Sequence, residues 1–367
     1  MQKLKLGVIF GGMSTEHDVS VTSGTSVIKN LDKEKYEIYP IYIDSDGKWY
    51  EYSKKVDKID ILQVGEKIEE KIAIANPIEY LQECDVIFPV LHGLYGEDGT
   101  IQGLLELIKK PYVGCKVLAS SICMDKACSK IIFEKAGINQ AKYIYVKISK
   151  INNKQNIDTA TLKNNYTYVD NNFNEHNSTL EEIANIVEQE LSFPTFVKPS
   201  NSGSSVGIKK AHNKAELMEA IKYAGKFDKK ILIEQNIKGR EVECAVLGND
   251  DVKASVVGEI LPAEDFYTFD AKYKNAESKV VIPAEISESI SDEIRKTAIK
   301  AYKSTDCRGL ARVDFFIENG TNKVIINEIN TLPGFTQISM YPQLWQSMGI
   351  SYTKLLDKLV ELASETK

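Results

Sequence analysis

Two short stretches of the chain carry polar residues at the two-residue spacing that puts side chains on one face of a strand. Glu328 and Asn330 lie in KVIINEINT, and Arg312 and Asp314 lie in GLARVDFFI. Apolar residues flank both pairs, and buried acids need a counter-charge. Oxygen atoms of carboxylates and amides are what Mg²⁺ prefers as ligands, usually together with substrate phosphates. We interpret Asp314, Glu328 and Asn330 as a candidate metal site; the alternative is a hairpin edge with solvated acids.

Whether the two pairs share a face depends on the register of the predicted hairpin. A tight Asn319–Gly320 turn would pair Asp314 with Ile325 and put the carboxylates on opposite faces. A loop of about five residues over 319–323 would instead pair Asp314 with Glu328. The metal interpretation therefore predicts the longer loop.

A second stretch, KPSNSGSSVGI (198–208), has the composition of a phosphate-binding loop. Lys198 precedes a loop with two glycines, whose backbone N–H groups can surround phosphate oxygens while the lysine adds charge. The stretch lacks the GxxxxGK[ST] pattern, and the residues that follow predict a strand rather than a helix. Taken alone, such a loop is more often a hairpin connection than a nucleotide site, and Lys198 together with the remote acid set favours the nucleotide site.

Length, charge and cysteine content limit the classes of protein that can carry these sites. With 367 residues, of which 43% are hydrophobic, the chain predicts two or three domains with clefts between them. A net charge of -6 without a basic block argues against a nucleic-acid surface. No apolar run approaches the roughly 20 residues that span a bilayer. Six cysteines without a CxxC pair, and only four histidines, make a zinc site improbable and predict reduced thiols in a cytoplasmic protein.

Residues 1–114 are predicted to form an open α/β sheet. LKLGVIFGG (4–12) is typical of a buried parallel strand that runs into a glycine turn, and Thr15–Asn30 is expected to be the first helix. Ligands of such sheets bind at the carboxyl ends of the strands, where Gly11–Gly12 and His92–Gly93 fall.

Residues 115–234 are predicted to form a second α/β unit. One helix is expected over 120–137 and ends at Gly137, and the Asn-rich stretch 151–177 is expected to be a loop or surface insertion. Ser178 and Glu181 are expected to form the capping box of the next helix.

Residues 235–367 are predicted to form a third unit, which contains the metal hairpin, a helix over 294–307 and one late amphipathic helix over 344–363. Residues 262–278, long and polar between two strands, suit a mobile lid.

The motifs in combination resemble the D-alanine–D-alanine ligases of the ATP-grasp superfamily. The resemblance runs through GVIFGGMSTEHDVS, LHGLYGEDGTIQG, SICMDKACSK, KPSNSGSSVG, IEQNIKGREVECAVLG, FDAKY, ARVDFF, NEINTLPGFT and SMYP, and so covers nearly the whole chain except the Asn-rich stretch. It implies three α/β units, with ATP between the second and third and D-alanine reached from all three.

The resemblance also implies the residues that hold ATP. Each of these side chains could instead be solvated at a strand end or in a loop. The implied ATP contacts are Lys126 and Lys198 on the phosphates, Ser205 in the glycine loop, Glu234 and Glu241 on the adenine and ribose side, and Lys272 in the lid. Asp314, Glu328 and Asn330 would bind two magnesium ions, or manganese, which neutralise phosphate charge during transfer.

The implied reaction has two steps and a further set of residues. The γ-phosphoryl group of ATP moves to the carboxylate of one D-alanine, and the amine of a second D-alanine then displaces phosphate to give D-alanyl-D-alanine for peptidoglycan precursors. Arg312 and the Gly334 N–H resemble the donors that stabilise the oxyanion. Glu16 resembles the residue that receives the first ammonium, linked to Ser204 and Tyr273; an acid at a helix start has an alternative role with the helix dipole.

A third set of residues bears on the identity of the second substrate. His92, Ser339 and Met340 resemble substrate contacts, although a histidine in a glycine turn can be purely structural. The apolar Met340, together with Tyr273, favours D-alanine over D-serine or D-lactate, whereas Gln337–Ile338 departs from the pattern of many relatives.

Outside this class, an oxidoreductase is disfavoured because GGMSTE is not GxGxxG, and a non-catalytic nucleotide-binding module remains an alternative. The resemblance also implies a homodimer that forms through the first domain.

Overall fold

A computed structural model describes residues 2–148, 166–170, 173–203, 205–261 and 279–365, and within them the strands form three sheets. The first unit contains strands β1 Leu4–Gly11, β2 Tyr36–Ile43, β3 Trp49–Tyr52, β4 Lys71–Ala73 and β5 Val86–Val90 and helices α1 His17–Asn30, α2 Pro77–Gln82 and α3 Thr100–Leu107.

The strand order of the first sheet is β4-β3-β2-β1-β5, and β1 runs parallel to both of its neighbours. Helix α1 lies close on β1, because a β-carbon at Gly24 would fall 2.3 Å from the β-carbon of Phe10. Gly11 and Gly12 both have positive φ at the end of β1. The predicted parallel strand, glycine turn and first helix are confirmed, and the start of α1 lies beside the carboxyl ends of the strands.

The second sheet has the order β10-β9-β11-β6-β7-β8 and antiparallel pairing. Its unit contains strands β6 Tyr143–Ile148, β7 Tyr166–Val169, β8 Glu175–Ser178, β9 Thr195–Pro199, β10 Lys209–Ala211 and β11 Lys230–Gln235 and helices α4 Val117–Met124, α5 Lys126–Lys135, α6 Leu180–Glu190 and α7 Lys214–Ala224.

Three expectations for this unit were wrong in detail. The single helix predicted over 120–137 is two helices, because Asp125 is extended and caps α5 by accepting N–H hydrogen bonds from its first turn. The capping box of α6 consists of Thr179 and Glu182, one residue later than predicted. The described end of the Asn-rich stretch forms β7 and β8 rather than loop; most of that stretch lies outside the described residues.

The third sheet has the order β14-β13-β12-β15-β16. Its unit contains strands β12 Gly239–Leu247, β13 Lys253–Leu261, β14 Lys279–Val281, β15 Leu310–Glu318 and β16 Val324–Asn330 and helices α8 Glu288–Ser304, α9 Met340–Ser347 and α10 Tyr352–Glu365. The late helix predicted as one segment is two, and Gly349, at φ +84°, lies in the break.

The β15–β16 hairpin pairs Asp314 with Glu328, as the metal interpretation requires. Near the turn, however, Ile317 pairs with Val324, and the register shifts between Asp314 and Phe315. Residues 319–323 connect the two strands, as predicted, and a β-bulge farther from the turn adds one residue to β16. Without that bulge, the Glu328 side chain would point into the core, on the opposite face of the sheet from Asp314.

Helix α10 packs against the first sheet although it is the last element of the chain. Its residues Leu355, Leu356 and Leu359 belong to the same buried cluster as Leu6 and Val8 of β1. Within the described residues, no helix has the length and apolar character needed to cross a membrane.

Candidate active site

A cleft of about 880 Å³ is lined by all three units and contains most of the predicted site residues. The β15–β16 hairpin contributes Arg312, Asp314, Glu328 and Asn330 to it. Three predicted residues, Ser204, Lys272 and Tyr273, lie outside the described part of the chain, as does the predicted lid 262–278.

The acids of the hairpin are held by an arginine and an amide. Arg312 donates to both oxygens of Asp314 at 2.8 Å, and its Nε also lies 2.8 Å from Oε2 of Glu243. The side-chain nitrogen of Asn330 donates to Asp314 at 2.9 Å. Burial lowers the pKa of Arg312, but the carboxylates of Asp314 and Glu243 outweigh burial and hold that pKa above its ordinary value. Arg312 is thus a fixed positive charge beside the acids.

Glu243 was missed by the sequence reasoning. It lies opposite Asp314 on the neighbouring strand β12, and its side chain is almost fully buried. The signal was present, because Glu241 and Glu243 have the same two-residue spacing that identified the hairpin pairs. Glu241, the predicted ribose-side residue, also lines the cleft.

The hairpin residues fit a magnesium ion by their chemistry. Asp314 and Glu328 supply carboxylate oxygens, and Asn330 donates through its nitrogen, which leaves its oxygen as the ligand atom. Among the described residues, no three acidic, histidine or cysteine side chains already form a closed metal cage. Such an open set is what Mg²⁺ uses when substrate phosphates and water complete its shell.

Two lysines of the second unit share one buried glutamate. Strand pairing places Lys198 opposite Leu232, so Glu234 is its diagonal neighbour and its carboxylate contacts the Lys198 ammonium. The other oxygen of Glu234 lies 2.5 Å from Nζ of Lys130. Burial raises the pKa of Glu234, but the two ammonium groups outweigh it and lower that pKa to about 2. Glu234 is therefore charged and fixes both lysines.

Lys130 was also missed, although it lies four residues after Lys126 and so on the same face of α5. Lys126 itself bridges two units. Its Nζ donates to the Ser202 carbonyl at 2.6 Å and lies 3.6 Å from Oε2 of Glu328. The predicted phosphate lysine thus lies between the glycine loop and the β15–β16 hairpin.

The glycine loop reaches the first unit. Ser205 and Gly207 adopt positive φ, and a β-carbon at Gly203 would fall only 2.4 Å from Oε1 of Glu16. Glu16 is buried at the start of α1 and also lies close to Gly93, where a β-carbon would fall 2.9 Å from the same oxygen. The loop, the first helix and the His92–Gly93 turn therefore meet at one point of the cleft.

On the first-unit side of the cleft, His92 is buried and the missed residue Glu97 is half-buried. Nδ1 of His92 lies 2.9 Å from the Leu332 carbonyl, and Nε2 lies 2.9 Å from Oγ of Ser23. Burial lowers the pKa of His92 to about 4. Burial and the charge of Glu16 raise the pKa of Glu97 to about 8. Both ring nitrogens of His92 are thus engaged within the protein.

The predicted second-substrate residues follow Gly334. Ser339 Oγ accepts the Thr336 N–H at 3.0 Å, and Gly334, Ser339 and Met340 line the cleft. The Met340 sulfur packs on β13, because a β-carbon at Gly258 would fall 2.6 Å from it. Ile338, in contrast, is 80% exposed.

Family models and curated relatives that match this chain all belong to one family. The model "D-ala D-ala ligase N-terminus" matches residues 5–115, and "D-ala D-ala ligase C-terminus" matches residues 163–361. The D-alanine–D-alanine ligase of Acetivibrio thermocellus is 48% identical over 385 residues, which cover 98% of this chain and 96% of that protein. D-alanine–D-alanine ligase B of Clostridium tetani is 47% identical over 367 residues, with 100% and 95% covered.

Solved structures show the same fold. The VanG D-Ala:D-Ser ligase of Enterococcus faecalis superposes with a TM-score of 0.80 at 34% identity and covers 99% of this chain and 100% of that chain. The D-alanine–D-alanine ligase of Bacillus anthracis complexed with ATP gives a TM-score of 0.70 at 29% identity, with 99% and 98% covered.

Proposed function

We propose a function from the premise that this chain belongs to the D-alanine–D-alanine ligase family, whose models match both its N-terminal and its C-terminal parts. The protein ligates two D-alanines at the expense of ATP and so makes D-alanyl-D-alanine for peptidoglycan precursors. The observation that carries the site assignment is the shared face of the β15–β16 hairpin, where Arg312, Asp314, Glu328 and Asn330 meet in one cleft.

The first step activates a carboxylate. An oxygen of the first D-alanine carboxylate attacks the γ-phosphorus of ATP; the bond to the β-phosphate oxygen breaks, and ADP leaves with the electron pair. Lys126 and Lys198 line the path of the phosphates and offset their charge. Glu234 keeps Lys198 in place, and Ser205 and Glu241 complete the ATP side of the cleft.

Asp314, Glu328 and Asn330 would hold magnesium or manganese ions. The chemistry that such ions would supply here is neutralisation of the negative charge that develops on ATP during transfer.

The second step forms the peptide bond. The amine of the second D-alanine attacks the acyl phosphate, the carbonyl oxygen becomes an oxyanion, and phosphate then leaves with the bonding electrons while the amine loses a proton. Arg312, fixed by Asp314 and Glu243, and the N–H of Gly334 donate to that oxyanion. Glu16 receives the ammonium of the first D-alanine, and its burial beside Gly93 and Gly203 supports a pocket of small size.

The second substrate is D-alanine, and the apolar Met340 packed on β13 supports this choice. A D-alanine–D-serine ligase is the second candidate, because the superposition on the VanG enzyme covers nearly all of both chains. Ser339 serves as the contact to the carboxylate of the second substrate in either case.

One experiment separates these candidates. Purified protein is incubated with Mg-ATP and equal amounts of D-alanine, D-serine and D-lactate, and the products are identified by mass. D-alanyl-D-alanine as the main product, with one ADP per dipeptide, is expected. Mostly D-alanyl-D-serine would reassign the second site, and no ADP formation would leave only nucleotide binding.

The ligase is further proposed to act in the cytoplasm as a homodimer through its first domain. All six cysteines are free, which agrees with a reducing compartment. Sedimentation of the purified protein tests the dimer, and a monomer at micromolar concentration would contradict it.

A further inference from the structure

The backbone that carries Gly334 is held by side chains of the first unit. The Leu332 N–H donates to Oε1 of Glu97 at 3.1 Å, and the Leu332 carbonyl lies 2.9 Å from Nδ1 of His92. The Phe335 N–H donates to Oγ of Ser23 at 3.3 Å. Three side chains therefore fix the backbone on both sides of Gly334.

The contacts of His92 define its tautomer. A carbonyl oxygen only accepts, so Nδ1 carries the hydrogen that reaches the Leu332 carbonyl. The lowered pKa keeps the ring neutral, and Nε2 then accepts from the Ser23 hydroxyl at 2.9 Å. With its hydrogen directed to His92, Ser23 presents lone pairs to the Phe335 N–H. Ser23 and His92 therefore act as one unit.

Glu97 completes the arrangement from the other side. One of its oxygens accepts the Gly93 N–H at 2.8 Å, and the other accepts the Leu332 N–H. Because its two oxygens accept from two separate backbone donors, the Glu97 side chain ties the His92–Gly93 turn to the segment that follows the β15–β16 hairpin.

The Gly334 N–H stands apart from its neighbours. Pro333 has no N–H, and the N–H groups of Leu332, Phe335 and Thr336 are bound to Glu97, Ser23 and Ser339. Within the described residues, the Gly334 N–H has no hydrogen-bond acceptor, and Gly334 lines the cleft. The segment thus leaves one backbone donor open to a ligand.

We infer that Ser23, His92 and Glu97 are positioning residues that aim the Gly334 N–H at the oxyanion of the reaction. The inference rests on the proposed function. Loss of one oxyanion donor costs about 10²–10³ in kcat, and a misplacement of about 1 Å can cost about 10². Small changes in these three side chains therefore affect the chemical step through the position of the Gly334 N–H. The alternative is a purely structural role, in which these three side chains only provide hydrogen-bond partners for backbone groups.

The test compares two hydroxyls of helix α1. Ser23→Ala removes the acceptor of the Phe335 N–H and the partner of His92. Thr25→Ala is the matched control, because Thr25 is equally buried and its hydroxyl accepts the Leu62 N–H at 3.0 Å, away from the cleft. Glu97→Gln is the second test variant and replaces one acceptor of the carboxylate by a donor.

The measurements are kcat, the KM for ATP and the Kd of a phosphinate dipeptide analogue, whose tetrahedral phosphorus resembles the intermediate. Ser23→Ala and Glu97→Gln are expected to lower kcat by about 10- to 100-fold and to weaken the phosphinate by a similar factor. The KM for ATP should stay within about twofold, and Thr25→Ala should keep kcat within about twofold.

Two results would overturn the inference while the wild-type protein still makes the dipeptide. One is a kcat for both test variants no lower than that of Thr25→Ala; the other is a loss of ATP affinity equal to the loss of phosphinate affinity. A wild-type protein that makes no dipeptide would overturn the proposed function itself.

Discussion

At the scale of single residues, charged side chains of the cleft are already paired with one another within the protein. Arg312 holds Asp314 with two hydrogen bonds and also contacts Glu243, so the direction of the Asp314 side chain is fixed before any ligand binds. Preorganised charge of this kind is usually the largest contribution to catalysis.

Replacement of one acid tests the metal assignment. Asp314→Asn keeps the shape of the side chain but removes a charged oxygen, so ADP formation should fall by about 10²-fold or more. Glu318→Gln is the matched control, since Glu318 ends the same strand, lies outside the cleft lining and accepts a hydrogen bond from the Thr321 hydroxyl. Steady-state assays across a magnesium titration measure the effect, and equal activity of the two variants would contradict the assignment.

The buried pair of lysines around Glu234 predicts a pH dependence of stability. The pKa of Glu234 is depressed to about 2, so its contribution is present above its ordinary pKa and is lost as pH falls toward 2. By pH 3 the free energy of unfolding should drop by about 2 kcal/mol from this group. Lys130→Met removes one ammonium, raises the pKa of Glu234 and should flatten that loss. Urea unfolding between pH 6 and pH 3 measures it, and identical slopes would refute the explanation.

The sequence was sufficient for residues whose partners are local. The spacing in ARVDF and NEINT predicted the Asp314, Glu328 and Asn330 set, and similar spacing arguments could have found Glu243 and Lys130. It could not find Ser23 and Glu97, because they bind backbone groups 312 and 235 positions away. Backbone hydrogen bonds of this range leave no pattern in a single sequence.

At the scale of elements, the hairpin shows how a correct pairing can arise from an unexpected device. Asp314 faces Glu328 because of a bulge in the strand, and apolar alternation does not reveal where a strand inserts one residue. Helix breaks were missed for a similar reason: 120–137 has a helical pattern throughout, but Asp125 competes for the helix N–H groups and starts a new helix.

Asp125 provides a prediction for helix α5. Its carboxylate caps the helix, accepts from Ser200 at 2.7 Å and pairs with Lys230 at 2.5 Å. Asp125→Ala should cost about 1–2 kcal/mol for the cap alone and should raise the KM for ATP, because Lys126 follows directly. Asp125→Asn can still cap the helix and should recover most of the stability. Thermal unfolding and ATP titration measure both, and an unchanged KM in the Ala variant would contradict the coupling.

At the scale of the whole molecule, the last helix of the chain packs on the first sheet. Helix α10 completes the core of the first unit, and Asp357 accepts from Tyr36 at 2.9 Å and from Lys35 at 2.5 Å. The predicted boundaries at 114 and 234 stay predictions, but packing of the last helix on the first sheet could not be inferred from its apolar stripe, which does not name its partner.

This packing predicts a variant that affects stability alone. Tyr36→Phe leaves the buried Asp357 with one hydrogen bond fewer and should cost about 1.5–3 kcal/mol. Because the contact lies outside the residues that line the cleft, kcat and KM at 25 °C should not change. Urea unfolding and steady-state kinetics measure the two quantities, and a changed KM for D-alanine would indicate a longer-range effect.

The central step of the proposed reaction is activation of a D-alanine carboxylate by phosphoryl transfer. D-alanine labelled with ¹⁸O in both carboxylate oxygens, incubated with the protein and Mg-ATP, tests this directly by ³¹P NMR of the released phosphate. An acyl phosphate passes one carboxylate oxygen to phosphate, so we expect each phosphate to carry one ¹⁸O. Unlabelled phosphate, released together with ADP and dipeptide, would contradict the mechanism.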